Sequence, residues 1–287
     1  MTSRFGDRLE GVFHASGRLC VGIDPHRFLL DAWGLPDTAA GAESFGLTVV
    51  EATAGRAGIV KPQIAFYERF GAAGYQALEQ VLGAARSAGL LVIGDVKRGE
   101  IGTSMEAYGE AWLTPGHPLE VDAMTVNPYL GFGSFQSTFD YAEANGKGAF
   151  VLTATSNPEG RTVQLAADPA TNRSVARSIA DSIGDWNLSH TPGAGFGSIG
   201  AVIGATLDLD EFGLADATSV GERTVVMPVL APGFGHQGAR VEDATKIYGA
   251  ATAGVIVSES RSILGGGPAG LAGTVERTAD NVRTAIG

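Results

Sequence analysis

Residues Leu90 to Ser104 read LLVIGDVKRGEIGTS. The apolar run that opens this stretch is long enough for a buried parallel strand, and Asp95, Lys97 and Glu100 follow where such a strand should end. Side chains at i and i+2 of an extended chain share a face, so Asp95 and Lys97 are expected to point the same way and to bring a carboxylate against an ammonium. Gly99 and Gly102 permit a turn, and residues Thr103 to Trp112 have the composition of a helix starting just beyond it.

Working outward, seven further apolar segments resemble this one, each followed by a polar or glycine-rich turn. In order, the eight are Leu19 to Asp24, Gly58 to Lys61, Leu90 to Lys97, Val121 to Asn127, Ala149 to Ser156, Ile199 to Thr206, Val225 to Pro232 and Gly254 to Arg261. Their ends fall 26–37 residues apart, the length of one βα unit, except for a gap of 50 residues between the fifth and sixth. Residues Phe66 to Ala88 carry apolar side chains at helical spacing, and Val275, Ala279, Val282 and Ile286 follow i, i+4, i+7, i+11. Eight β-then-α units with one composition throughout predict an α/β protein with a single (β/α)8 barrel over residues 1–287. The fifth unit is enlarged at about 157–197, and an active-site lid or surface excursion is expected there.

The chain has 287 residues, 44% of them apolar, and a formal net charge of −11 from 31 acidic and 20 basic side chains. That balance argues against nucleic acid or an anionic membrane as the main partner, and any anionic ligand needs a locally positive site. Only four basic residues are lysines, and two of them, Lys61 and Lys97, fall at predicted strand ends. The single cysteine, Cys20, cannot form an internal disulfide and reads as a small core residue. The start, MTSRFGDRLEGVF, has no apolar signal core, and no apolar run approaches the ~20 residues of a membrane span, so a cytoplasmic protein is expected.

In a barrel of this kind the functional face is the carboxyl end of the strands. The predicted strand ends there are Asp24, Lys61, Asp95 with Lys97, Asn127, Ser156, Thr206, a glycine loop and Arg261. The loop Pro232–Gly238, PGFGHQG, together with Arg261 one unit later, suits a phosphate. Glycines 233, 235 and 238 allow close approach, Gln237 can donate, and a guanidinium offers a fork for two oxygens. Between carboxylates a lysine keeps its proton, which makes it a poor base but a ready donor to a carbanion formed beside it. The five histidines, His14, His26, His117, His190 and His236, show no metal-ligand spacing and read as surface or supporting residues. Asp95 and Glu100 could supply oxygen ligands to Mg²⁺, but Lys97 competes for them. Ser156 lacks the G-x-S-x-G context of a nucleophile and is expected to hydrogen-bond its own turn or a ligand.

With these residues in view, the chain resembles the orotidine 5′-phosphate decarboxylases, in the subgroup with a D-x-K-R-G-D-I signature. The resemblance rests on GIDPH at 22–26, VKPQIAFYE at 60–68, DVKRGEIGTS at 95–104, NPYLGFGS at 127–134, ATSNPEG at 154–160, PGFGHQG at 232–238 and SRSI at 260–263. It implies decarboxylation of orotidine 5′-phosphate (OMP) to UMP in de novo pyrimidine synthesis, with no metal or organic cofactor. It further implies a catalytic array of Lys61, Asp95, Lys97 and Glu100, the last reaching the neighbouring site of a homodimer. Asp24 and Lys61 are implied to bind ribose hydroxyls, Ser156 the pyrimidine, and Gly235, Gln237 and Arg261 the phosphate. Ser104 is implied to lie in the substrate site.

Two positions depart from the signature, which has aspartate where this chain has Glu100 and threonine where it has Ser104. A methylene added in a catalytic array is a shift of the size that changes rates. Two alternatives stand beside the main reading: a metal-dependent sugar-phosphate decarboxylase or aldolase on the same barrel, suggested by the strand-end carboxylates, and a weakly active or non-catalytic UMP-binding relative, suggested by Glu100.

Overall fold

The eight apolar segments form β1 (Leu19–Ile23), β2 (Ile59–Pro62), β3 (Leu91–Arg98), β4 (Ala123–Val126), β5 (Gly148–Ala154), β6 (Ile199–Ile203), β7 (Val229–Pro232) and β8 (Val255–Glu259). In this computed structural model, which describes residues 3–215 and 225–287, every neighbouring pair is parallel and β1 closes on β8. The sheet is a closed barrel in sequence order, as the spacing of the segments predicts. Leucine, isoleucine and valine dominate the strands because both faces of each are covered, one by the barrel interior and one by the outer helices.

Those helices arise from the apolar stripes between the strands. The last helix, Leu271–Ile286, buries Leu271, Val275, Ala279, Val282 and Ile286 along one side. Helix Gly102–Leu113 starts one residue before the expected point. The segment expected to be one helix from Phe66 to Ala88 is two, Ala65–Glu68 and Gly71–Ser87, because the chain passes through Gly71 at φ +60°. A left-handed residue cannot continue an α-helix, and glycine takes that conformation without a Cβ clash. In the fifth unit, the residues after β5 form a 3-10 turn at Pro158–Gly160, a short helix at Arg161–Gln164 and an isolated bridge between Ala167 and Ser174. Helix Val175–His190 then packs on the barrel.

The opposite end of the barrel is closed by a helix from before β1, Phe5–Ser16, which lies across the strand beginnings. Phe5 and Leu9 are fully buried in one cluster with Cys20, Ile59, Leu91, Phe150 and Ile256 from inside the barrel. The Phe5 and Phe150 rings meet edge to face at 5.9 Å. Burial of each such side chain contributes about 1.5–3 kcal/mol, so the helix belongs to the core rather than decorating it. Charges pin the same end: Arg8 donates to Asp122 Oδ1 at 2.5 Å, and Lys147, 5% exposed, pairs with Glu120 at 2.6 Å. The buried Lys147 is thus structural, whereas Lys61 and Lys97 lie at the other end. Among the described residues no helix is long and apolar enough to cross a membrane.

Candidate active site

At the carboxyl end of the strands, β3 departs from regular pairing with β4 between Gly94 and Arg98. Such irregularities re-aim side chains. Here Lys97 has φ +49°, one of only two non-glycine residues with positive φ among those described. Asp95 and Lys97 do meet, with Lys97 Nζ 2.5 Å from Asp95 Oδ1, but through a left-handed residue rather than the regular alternation expected of an extended strand. From β2, Lys61 Nζ donates to the other oxygen, Asp95 Oδ2, at 2.9 Å. From β4, the Thr125 hydroxyl donates to Asp95 Oδ1 at 2.9 Å. One carboxylate thus receives two ammonium groups and a hydroxyl from three adjacent strands.

The charge states follow from this packing. Burial pushes the Asp95 carboxyl upward, but the ammoniums of Lys61 and Lys97 outweigh it and hold its pKa well below the usual carboxylate range. Burial alone would lower Lys61, yet Asp95, and Asp24 after it, raise its pKa above the ordinary lysine value. Lys61 is therefore a fixed positive charge, unsuited to act as a base or an amine nucleophile. Lys97 has 42% of its side chain exposed and presents its ammonium to the mouth.

Above the array opens a cavity of about 420 Å³ lined by Asp24, Lys61, Asp95, Lys97, Ser156, Gln237 and Arg261 among others. That is within the usual range for a small-molecule site. Arg261 begins a single helical turn after β8 and has no carboxylate partner among the described residues, so the cavity holds an uncommitted guanidinium. Facing it is the turn Gly233–Gly238, a 3-10 segment at Gly235–Gln237 closed by Gly238 at φ +104°. Asp24 Oδ1 is buried without a hydrogen-bond partner among the described residues, which leaves an acceptor for a hydroxyl donor. Ammonium groups, an uncommitted guanidinium and a free acceptor lining one cavity suit an anionic, hydroxyl-bearing ligand.

Not every residue chosen from the sequence is brought together. Glu100 lies outside the cavity, its Oε1 accepting the N–H of Ile101 at 2.9 Å, and Ser104 is exposed on the first turn of the following helix. The Gly235 N–H does not face the cavity as a free donor; it donates to Ala239 O at 3.0 Å, so Gly235 shapes the loop instead. Asn127 caps its own turn by accepting from the Tyr129 N–H, and Thr206 lines a neighbouring crevice. Conversely, His26 and His236 line the cavity rather than the outer surface, as does Thr125. The His26 ring is held against Phe66, with centroids 4.2 Å apart, and burial lowers its pKa. His26 was findable as the residue two beyond Asp24, whereas Thr125, inside an apolar strand, gave no signal.

The sequence matches the profile described as Orotidine 5'-phosphate decarboxylase / HUMPS family over residues 17–270. The chain belongs to that family. It is similar to the orotidine 5′-phosphate decarboxylase of Corynebacterium efficiens, 46% identical over 268 residues that cover 93% of this chain and 92% of the relative. The enzyme of the same name from Salinispora tropica is 45% identical over 284 residues, 98% of both chains. Among solved structures, a Streptomyces avermitilis protein provisionally assigned that activity superposes with a TM-score of 0.90 at 43% identity, covering 99% of this chain and 96% of its own. The family profile spans more than one activity, but relatives matched over nearly their whole length carry the decarboxylase name, which favours that member over a sugar-phosphate enzyme.

Proposed function

We propose that the protein decarboxylates OMP to UMP and CO₂, a carboxy-lyase reaction that needs no cofactor, and that Lys97 supplies the proton. The observation that carries this reading is the Asp95 carboxylate held between Lys61 and Lys97 at the floor of the cavity. Arg261 and Gln237 at the far side bind the 5′-phosphate, Asp24 accepts from ribose hydroxyls beside Lys61, and Ser156 hydrogen-bonds the pyrimidine. This arrangement sets the substrate carboxylate against ionised Asp95. The bond from C6 to the carboxyl carbon breaks, its electron pair stays on C6 as CO₂ leaves, and the adjacent ammonium stabilises that charge before donating its proton. Lys97 then regains a proton from solvent.

Preorganised charge is the physical basis of the rate. Enzymes lower barriers by about 8–23 kcal/mol, and in the absence of an electron sink fixed ionic groups in a water-poor cavity must supply most of it. Phosphate binding remote from C6 orients the ring and can be coupled to ordering of the loops around the mouth, including the enlarged fifth unit.

We infer further that the working unit is a cytoplasmic homodimer in which Glu100 completes the partner's array. Glu100 adjoins Ile101, 60% exposed, and the loop after β4 presents Tyr129 at 77% and Leu130 at 49%. Large apolar side chains exposed on adjacent loops are the composition of a subunit interface.

The test is loss of orotate absorbance when purified protein meets OMP in the presence of a chelator, with UMP identified as product. No turnover, together with no binding of UMP, would sink the proposal; turnover of a pentulose or hexulose phosphate abolished by EDTA would favour the sugar-phosphate reading.

A further inference from the structure

Thr125 lies on β4 beneath the charge array and is 1% exposed. Its hydroxyl makes two bonds at once: it donates to Asp95 Oδ1 and accepts the backbone N–H of Lys97, each at 2.9 Å. A hydroxyl has one proton, so donation to the carboxylate leaves its lone pairs for the amide, and both bonds have a fixed sense. The amide needs this partner because the β3–β4 register shifts between Gly94 and Arg98. The same shift leaves Lys97 at φ +49°, which a residue with a long side chain keeps only when its surroundings impose it.

We propose that Thr125 is a positioning residue for proton transfer: its hydroxyl locks Lys97 in the left-handed conformation and sets the rotation of the Asp95 carboxylate, so that the ammonium faces C6. The proposal rests on the decarboxylase reading above. It follows from the distribution of donors on Asp95. Oδ2 is taken by Lys61, while Oδ1 is shared by Lys97 and Thr125. Without the hydroxyl, Oδ1 is held by Lys97 alone, so the carboxylate loses the one neutral bond that sets its rotation independently of the lysines, and the amide of Lys97 loses its acceptor while remaining partly buried. Neither change touches Arg261 or the glycine turn, so binding of the phosphate end is unaffected. An effect on the reaction without an effect on nucleotide affinity is what separates positioning from general support of the fold.

Thr125→Val keeps the shape and removes both bonds, and Thr125→Ser restores the hydroxyl. For Thr125→Val we expect kcat on OMP to fall about 10–100-fold, the scale of one hydrogen bond to a charged group. UMP affinity should stay within about two-fold of the parent, and Thr125→Ser should recover most of the rate. Unchanged kcat in Thr125→Val overturns the proposal, as do a proportional loss of UMP affinity or a serine variant as slow as the valine one. Parent turnover is measured first, since its failure counts against the decarboxylase reading rather than against Thr125. A crystal structure of Thr125→Val gives an answer independent of turnover. Asp95 rotated and Lys97 out of the left-handed region supports the brace, and both unmoved refutes it.

Discussion

Gly235 and Glu259 approach so closely that a Cβ on Gly235 would lie 2.7 Å from Glu259 Oε2. Glu259 is itself fixed, accepting from the Ser262 hydroxyl at 2.6 Å, and Gly235 has φ +66°. Side chain and backbone therefore both demand glycine here. Gly235→Ala is expected to displace the 233–238 turn and weaken UMP binding about ten-fold or more, with a small loss in melting temperature. Calorimetric titration with UMP checks it, and unchanged affinity would show that the turn does not hold the phosphate.

Lys97 and Arg261 should separate chemistry from binding. Lys97→Ala is expected to lower kcat by at least about 10²–10³-fold, the scale for removing one preorganised electrostatic group, while UMP affinity is little changed. Arg261→Ala should chiefly raise KM, by about 10–100-fold for a lost charge-assisted bond. Steady-state kinetics on both variants decides the matter, and the reverse pattern would exchange the two roles.

The shared carboxylate makes a pH prediction with a definite sign. Asp95 is depressed in the folded protein, so its contribution is complete above its unfolded pKa, about 3.9, and is lost only as pH falls below that toward the folded value. Lys61 is raised, so its contribution is complete below about 10.4 and is lost as pH climbs through the folded value. Between those limits the ion cluster adds no slope to stability. Asp95→Asn strands Lys61 in a buried site with less opposing charge, at a cost of about 3–5 kcal/mol near neutrality. That deficit should shrink as pH rises and Lys61 sheds its proton, which urea melts from pH 6 to 10 would measure. A deficit constant across the range would mean that Lys61 keeps its proton without Asp95.

Shared active sites can be tested by complementation. Lys97→Ala and Glu100→Ala homodimers should both be nearly inactive, but each mixed dimer contains one site with an intact lysine and an intact partner glutamate. Equal mixing should restore about a quarter of parental activity, from the statistics of a two-fold dimer. Absence of recovery after exchange of subunits has been verified would place Glu100 outside the partner's site. Ile101→Glu should shift the proposed dimer to monomer in sedimentation velocity and lower activity with it; a parent protein that sediments as a monomer would refute the shared site.

Cys20 gives a check on the barrel interior. Burial pushes its thiol up to about 12, and no part of the side chain reaches solvent. The native protein should not react with an aromatic disulfide reagent, whereas the urea-unfolded chain should release one equivalent of chromophore per chain. Rapid native labelling would contradict the packing around the Phe5–Ser16 helix.

The barrel and much of its mouth were legible because the signals were local. An apolar run followed by a polar residue marks a strand and its end, which located Asp24, Lys61, Asp95 and Lys97 without knowledge of pairing. Arg261 and Gln237 were readable by the same logic. The bend at Lys97 was not, because it depends on a register shift between two strands, a non-local property. Thr125 was hidden for a related reason: among Met124 and Val126 it looks like a β-branched filler, and only the fold turns its hydroxyl toward Asp95. Glu100 and Ser104 stand out in the sequence only by their place in a motif, and a single chain gives them nothing in the cavity to touch.

The amino-terminal helix that plugs the barrel with Phe5 and Leu9 also governs traffic. Together with the strand side chains that fill the interior, Leu91, Phe150 and Ile256 among them, it leaves no passage along the barrel axis, so incoming nucleotide, departing gas and finished product all share one doorway. The order of exit is then a property of the rim: the small, neutral gas can slip past a nucleotide still gripped by its phosphate, but the reverse passage would require that grip to open first.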